Sequence, residues 1–188
     1  MEDFGSSALR KLIDEFSDAV QLTHADHGDA TALVDPARIE DVMRFLRDEA
    51  DFDMLMDVTA VDYLGQTPRF EMVYHLYATG PNQRLRIKAR VAEETPEIAS
   101  VVPLYASADW MEREVFDLYG IRFDGHPDLR RILLYEEFEG YPLRKDYPKE
   151  RRQPLVGPRN PHRAPGAQHG AVASGDPRHH QIPDRTRR

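Results

Sequence analysis

The sequence predicts an α/β fold of the α+β type: a two-layer sandwich in which a small mixed or antiparallel sheet carries helices on one face, followed by an extended C-terminal tail. Three observations predict it. Apolar residues recur at helical spacing in two early segments. Two later segments alternate apolar and polar residues around a short polar connection, the pattern of an antiparallel hairpin. Beyond Glu150 the chain turns to Pro, Gly, His and Arg and loses its large apolar side chains, so it cannot build a core there. The division that follows is a domain over residues 1–148 and an extended or disordered tail over residues 149–188.

In order along the chain, Leu9, Leu12, Ile13, Phe16 and Val20 form one helical face, with Ser6 or Ser7 as N-cap. A short strand around Ala32–Val34 ends at Asp35-Pro36, a capping acid ahead of a proline at the first helical position. Ile39, Val42, Met43 and Leu46 then carry a second helix to about Glu49. Met54–Val61 reads as a buried strand, although Asp57 and Asp62 interrupt its apolar character. Phe70, Met72, Tyr74 and Leu76 alternate with Glu71, His75 and Tyr77; past the turn Gly80–Gln83, Leu85, Ile87, Ala89 and Val91 alternate with Arg84, Arg86, Lys88 and Arg90. These two runs make a hairpin that is apolar on one face and basic on the other. Packing both helices on the apolar face gives a sheet of three to five strands. A helical turn is expected at Glu97–Val101 before Pro103, and a charged helix from about Asp109 to Tyr119, ended by Gly120 in the left-handed conformation.

Charge is uneven along the 188 residues. Up to Pro148 there are 16 Lys and Arg against 30 Asp and Glu, and from Lys149 onward nine against three. An acidic body argues against nonspecific nucleic-acid binding, which depends on cations meeting phosphates. The absence of cysteine excludes disulfides, Cys-ligated iron–sulfur clusters and a Cys nucleophile. An acidic start without an apolar run predicts no secretory signal, and no segment approaches the ~18 apolar residues of a membrane span. The expected location is therefore cytosolic, or peripheral on the cytosolic side of a membrane. Neither Gly-x-Gly-x-x-Gly, nor a P-loop, nor Gly-x-Ser-x-Gly occurs, so no dinucleotide, phosphate-loop or hydrolase fingerprint is present.

The densest chemistry lies between Asp109 and Pro148. Glu112, Arg113, Glu114 and Asp117 admit three readings. Asp109 precedes Arg113 by four residues and Asp117 follows it by four, which suits a solvated ion-pair ladder. Trp110, Met111, Val115, Phe116, Leu118 and Tyr119 cover more than one face of the same helix, which suits a helix in contact with a neighbouring subunit. General acid–base chemistry by Glu112, Glu114 and His126 is the third, with no nucleophile or metal nearby to support it. His126 sits between Gly and Pro, a turn context. His24 and His27, and His162, His169, His179 and His180 in the tail, fall short of a four-ligand metal set. Arg130, Arg131, Arg144 and Lys145 flank an apolar run and a Pro-bounded segment, as a solubilising surface or as guanidinium forks lying along a partner.

The ordered run Glu112-Arg113-Glu114, Asp117-Leu118-Tyr119, His126, Arg130 and Ile132-Leu133-Leu134 resembles the signature of the 30 kDa subunit family of NADH-quinone oxidoreductase, the proton-pumping respiratory complex I, where the family carries the letter C. The resemblance covers about Asp109 to Pro148. It implies an α/β domain in the peripheral arm of that complex, docked against the sister subunit that carries the letter D and near the iron–sulfur subunits. It also implies that this chain holds no redox centre or catalytic residue, the FMN and iron–sulfur clusters residing in partner subunits. Glu112, Arg113, Glu114, Asp117, His126, Arg130, Arg131, Arg144, Lys145 and Asp146 would form the interface between subunits. The membrane association so implied is indirect, through the complex, on the cytoplasmic side of the inner membrane. Relatives of the family occur in membrane-bound hydrogenase and formate-linked complexes, and the signature alone leaves these open.

Overall fold

A computed structural model describes residues 7–156. The elements run α1 (Ser7–Glu15), β1 (Val20–His24), β2 (Thr31–Val34), α2 (Ile39–Asp48), β3 (Met54–Asp62), β4 (Phe70–Ala78), β5 (Gln83–Val91), β6 (Glu97–Ala99), α3 (Ala108–Tyr119) and β7 (Arg122–Asp124). Five strands form one mixed sheet in the order β1-β2-β5-β4-β3, and β6 and β7 form a separate pair. The β2–β5 pairing is parallel and the other three are antiparallel.

The hairpin β4–β5 is the sheet's centre, and its register places Met72 opposite Ala89 and Tyr74 opposite Ile87. Because side chains alternate between faces, this register sends Phe70, Met72, Tyr74, Leu76, Leu85, Ile87, Ala89 and Val91 into one core. Leu9 and Leu12 of α1 and Ile39, Val42, Met43 and Leu46 of α2 join the same core. The two-layer sandwich is thus as the alternation requires. On the opposite face Arg86 pairs with Asp29 at 2.8 Å and Lys88 with Glu71 at 2.9 Å, so part of the basic row is neutralised by neighbouring strands and loops.

Helix α2 begins as its sequence dictates: the Asp35 carboxylate accepts from the Ala37 N–H at 2.9 Å, and Pro36–Arg38 forms a 3₁₀ turn leading into it. The opening helix is shorter than its periodicity suggests. It stops at Glu15, and Val20 instead begins edge strand β1. The polar Ser17-Asp18 pair breaks the helix, and Val20 pairs with Val34. Ser6, one of the two proposed caps, lies outside the described residues. Glu97–Val101 is likewise not a helical turn. Glu97–Ala99 pairs in parallel with Arg122–Asp124, because Ile98 and Phe123 both reach the core from extended backbone.

Candidate functional site

Helix α3 lies along β3, and its buried face carries Ala108, Glu112 and Val115 into the core. Gly120 ends it with φ of 74°. A side chain there meets a second obstacle, since a Cβ would sit 2.5 Å from the Tyr141 ring. That contact introduces the main feature of the region. After β7 the chain from Asp128 to Pro154 forms neither helix nor strand, yet it returns across α3 and the end of the sheet as an arm held by charge.

Asp117 is the first anchor. Its carboxylate, fully buried, accepts the backbone N–H groups of Ile132, Leu133 and Leu134 at 3.1, 2.8 and 2.8 Å and pairs with Arg131 at 2.7 Å. Burial opposes its ionisation, but the N–H of Leu134, Arg131 and the other two amides outweigh that and hold its pKa below the ordinary carboxylate value. Arg131 continues to the carbonyls of Phe138 and Gly140, each at 3.2 Å, and lies over the rings of Phe138 and Tyr141. Arg144 donates to the Tyr119 carbonyl at 2.6 Å and lies over Phe70 and Tyr141.

Arg69 is the second anchor. It is 1% exposed, and it meets Asp62 through both Nε and Nη2 at 2.8 Å, Glu93 at 2.6 Å and Asp146 at 2.7 Å. The Asp62 carboxylate also accepts the Lys145 N–H at 2.7 Å. Three segments, the end of β3, the loop after β5 and the arm, are tied to one buried guanidinium. The same contacts lower the pKa of Asp62 and Asp146, with the hydrogen bonds from Arg69 as the main cause in each.

Glu112 has the opposite character. Its carboxylate is fully buried and accepts the Ser100 hydroxyl and the Val101 N–H, both at 2.7 Å. Burial dominates these donors and pushes its pKa up to about 7. The buried Tyr74 hydroxyl is pushed upward as well, by burial and by the Glu112 charge.

The ion-pair ladder along α3, one of the three readings, does not form. Arg113 donates to the carbonyls of Arg130 and Arg131 at 3.2 and 3.3 Å, while Asp109 faces His126 and Asp117 faces Arg131. His126, its side chain fully enclosed, accepts the Asp128 N–H on Nδ1, so in the neutral ring Nε2 carries the proton toward the Asp109 carbonyl 3.2 Å away. Glu112, Asp117, Arg131, Arg144 and Asp146 are likewise engaged with their own chain, as is Arg130 through Asp128 at 2.7 Å on the surface, whereas Glu114 and Lys145 have exposed side chains without such a partner among the described residues. Glu112, Glu114 and His126 do not converge: one is enclosed, one faces solvent and one has both ring nitrogens engaged. Among the described residues no group of three or more His, Cys, Asp or Glu side chains is placed to hold a metal ion, and no helix is long and apolar enough to cross a membrane. The tail histidines lie outside the described residues.

The family model for the respiratory-chain NADH dehydrogenase 30 kDa subunit matches residues 32–153. The chain belongs to that family. In Trichlorobacter lovleyi, the NADH-quinone oxidoreductase subunit lettered C is 52% identical over 153 residues, covering 80% of this chain and 94% of that protein. In Rhizobium meliloti, the one lettered C 2 is 46% identical over 142 residues, covering 74% and 78%. Among solved structures, the trypsin-resistant fragment of Nqo5 matches this 30 kDa-family chain with a TM-score of 0.58 at 30% identity, over 65% of this chain and 99% of that one. A chain of an archaeal membrane-bound sulfane sulfur reductase shares the fold, with a TM-score of 0.66 at 23% identity over 76% of this chain and 84% of that one.

Arg69 is the residue that sequence reasoning missed. Its only local signal is an arginine directly before a buried strand, seven residues after Asp62, and its arm partner lies 77 residues away.

Proposed function

We propose that this chain is a structural subunit of the peripheral arm of proton-translocating NADH-quinone oxidoreductase, contributing architecture to electron transfer from NADH to quinone. The observation that carries this reading is the construction of the Asp128–Pro154 arm. Arg130, Arg131, Arg144, Arg151 and Asp146 are spent on its own chain, while Leu133 and Leu143 stand 62% and 48% exposed. A segment without secondary structure that is fixed in shape and turns apolar side chains outward is built to be covered by another protein. Membership of the 30 kDa family and the names of the 43–52% identical relatives support the NADH-quinone complex as that setting.

The sister subunit lettered D is the partner we assign to the arm, with iron–sulfur subunits nearby. FMN and the clusters belong to those neighbours; here the enclosed Glu112 and the enclosed His126 are occupied by structural hydrogen bonds. The chain reaches the cytoplasmic face of the inner membrane through the assembled complex. Affinity purification of the tagged chain from solubilised membranes, with mass spectrometry and an NADH-to-quinone assay on the eluate, tests this. Flavin and iron–sulfur subunits with NADH oxidation are expected; hydrogenase or formate-linked partners move the chain to a related complex, and a chain recovered alone overturns the reading.

A further inference from the structure

The arm covers one side of α3 and reaches the other through Leu143. Arg113 and Asp117 face the arm, and on the other side Glu114 and Leu118 lie beside β3, with the exposed Trp110 four residues before Glu114. Leu143 joins this strip, since its N–H donates to the Leu118 carbonyl at 3.1 Å. A small cavity of about 60 Å³ lies between Asp57 and Thr59 of β3, Glu114 and Leu118 of α3, and Leu143. Toward the start of α3 a wider cleft of about 600 Å³ opens between Met54, Met56 and the Leu104–Ser107 segment. Trp110 is 69% exposed, and Met54 and Met56 are nearly half exposed.

Charge gives this strip its specificity. The acids lining the two openings are Asp53, Asp57 and Glu114, and no Lys or Arg lines either one. Asp53 is engaged by the Thr79 N–H and hydroxyl. The side chains of Asp57 and Glu114, both exposed, have neither a hydrogen bond nor a Lys or Arg ion pair among the described residues, although Asp57 also acts on His75 and lines a separate opening with Arg84 and Arg86. The β3 edge itself is blunted, because its register shifts between Leu55 and Asp57 and the Ser107 hydroxyl takes the Leu55 carbonyl. Recognition there must run through side chains rather than strand addition. Unpaired carboxylates also turn away an anionic lipid surface.

We propose that the Met54–Met56 and Trp110–Glu114–Leu118 strip is a second docking surface, meeting the arm only at Leu143, which takes an apolar polypeptide segment carrying Lys or Arg from a neighbouring subunit. This deepens the structural-subunit reading and rests on it. Trp110 and the methionines supply adaptable apolar contact, and Asp57 and Glu114 fix the register of the incoming cations.

The test uses the assembled complex. The double variant Asp57→Lys/Glu114→Lys, which breaks no hydrogen bond or ion pair within the described chain, should keep the thermal unfolding of the isolated protein but lose about tenfold or more in retention during affinity purification. Retention of the variant at wild-type stoichiometry across a salt series overturns the surface. Hydroxyl-radical footprinting of the wild-type chain gives an independent check. Oxidation of Met54, Met56 and Trp110 should fall several-fold on going from isolated chain to complex, and unchanged labelling overturns the proposal even where the variant is lost. Equal protection in a dimer of the isolated chain would assign the strip to a second copy instead, which also overturns it. If the wild-type chain fails to join the complex, the structural-subunit reading fails first and this surface with it.

Discussion

Between β3 and β5 the chain is held by apolar side chains that alternate along paired strands, whereas from Asp128 to Pro154 it is held by arginines, carboxylates and backbone groups without a helix or strand. The two regions teach different things about what a sequence encodes. Burial of alternating side chains is additive and local, so the body is a property of pattern. The arm depends on a few directional contacts whose partners lie far apart in the chain, so single residues decide its shape. Substitutions can break that contrast or sharpen it.

The largest effect is expected at Arg69, where the two regions meet. Arg69→Met leaves Asp62 buried without its cation and releases Glu93 and Asp146, a loss of about 3–5 kcal/mol for one partner of a buried pair. Urea denaturation should show that loss, and trypsin should cut at Arg144 and Lys145 well before it cuts the body. Equal proteolysis of arm and body would mean that Arg69 serves the core alone.

Leu46→Ala tests the body by itself. Leu46 is fully buried on α2, and its truncation should cost about 2–5 kcal/mol through lost burial and a cavity. Here the expectation is a lower denaturation midpoint with arm and body still melting together; early release of the arm would blur the division between the regions.

Glu112 gives a pH signature that the arm reverses. Its folded pKa, about 7, lies above the ordinary 4.5, so the folded state binds the proton more tightly. Its contribution to stability is present below the unfolded value and is lost as pH rises from about 4.5 through 7. The loss amounts to at most about 3 kcal/mol at 1.36 kcal/mol per unit. Asp62, Asp117 and Asp146 have lowered pKa values, so what they contribute is present above the ordinary carboxylate range and is lost as pH falls below it. Denaturation between pH 5 and 8 should therefore show a falling slope that Glu112→Gln flattens, since the amide can keep both the Val101 and Ser100 contacts. An unchanged slope would assign the pH dependence elsewhere.

How much of this was legible follows from the same contrast. The hairpin, the Asp35-Pro36 helix start and the Gly120 stop announce themselves within a few residues, because each is decided by alternation or by one backbone conformation. Strands β1 and β6 did not. Val20 continues a helical spacing that the Ser17-Asp18 turn overrides, and three residues at Glu97–Ala99 are too few to display a period. In α3 and the arm, the motif residues were visible as a set, but their roles were not. Glu112 and Asp117 look like surface acids on a charged helix, and only the fold brings Ser100 and Val101 to one and the Ile132–Leu134 amides to the other.

Asp117→Asn should be intermediate in effect, because the amide keeps one acceptor oxygen for the three N–H groups but loses the charge that Arg131 meets. A loss of about 1–3 kcal/mol is expected, with faster hydrogen exchange at Ile132–Leu134 and none of the change in the sheet. Uniform acceleration would show that the arm and body open as one unit.

The smallest effect is expected at Arg113, although it stands at the centre of the family motif. Its two contacts are to carbonyls at 3.2 and 3.3 Å, it is only partly buried, and no carboxylate depends on it for charge. Arg113→Ala should cost about 1 kcal/mol or less, leaving the body folded and loosening the arm near Arg130 and Arg131. A stability loss several times larger would mark Arg113 as a core element. A small one, joined to a marked fall in retention within the complex, would mean that the motif arginine shapes the arm for its partner, and that the arm's directional contacts are read between subunits as well as within the chain.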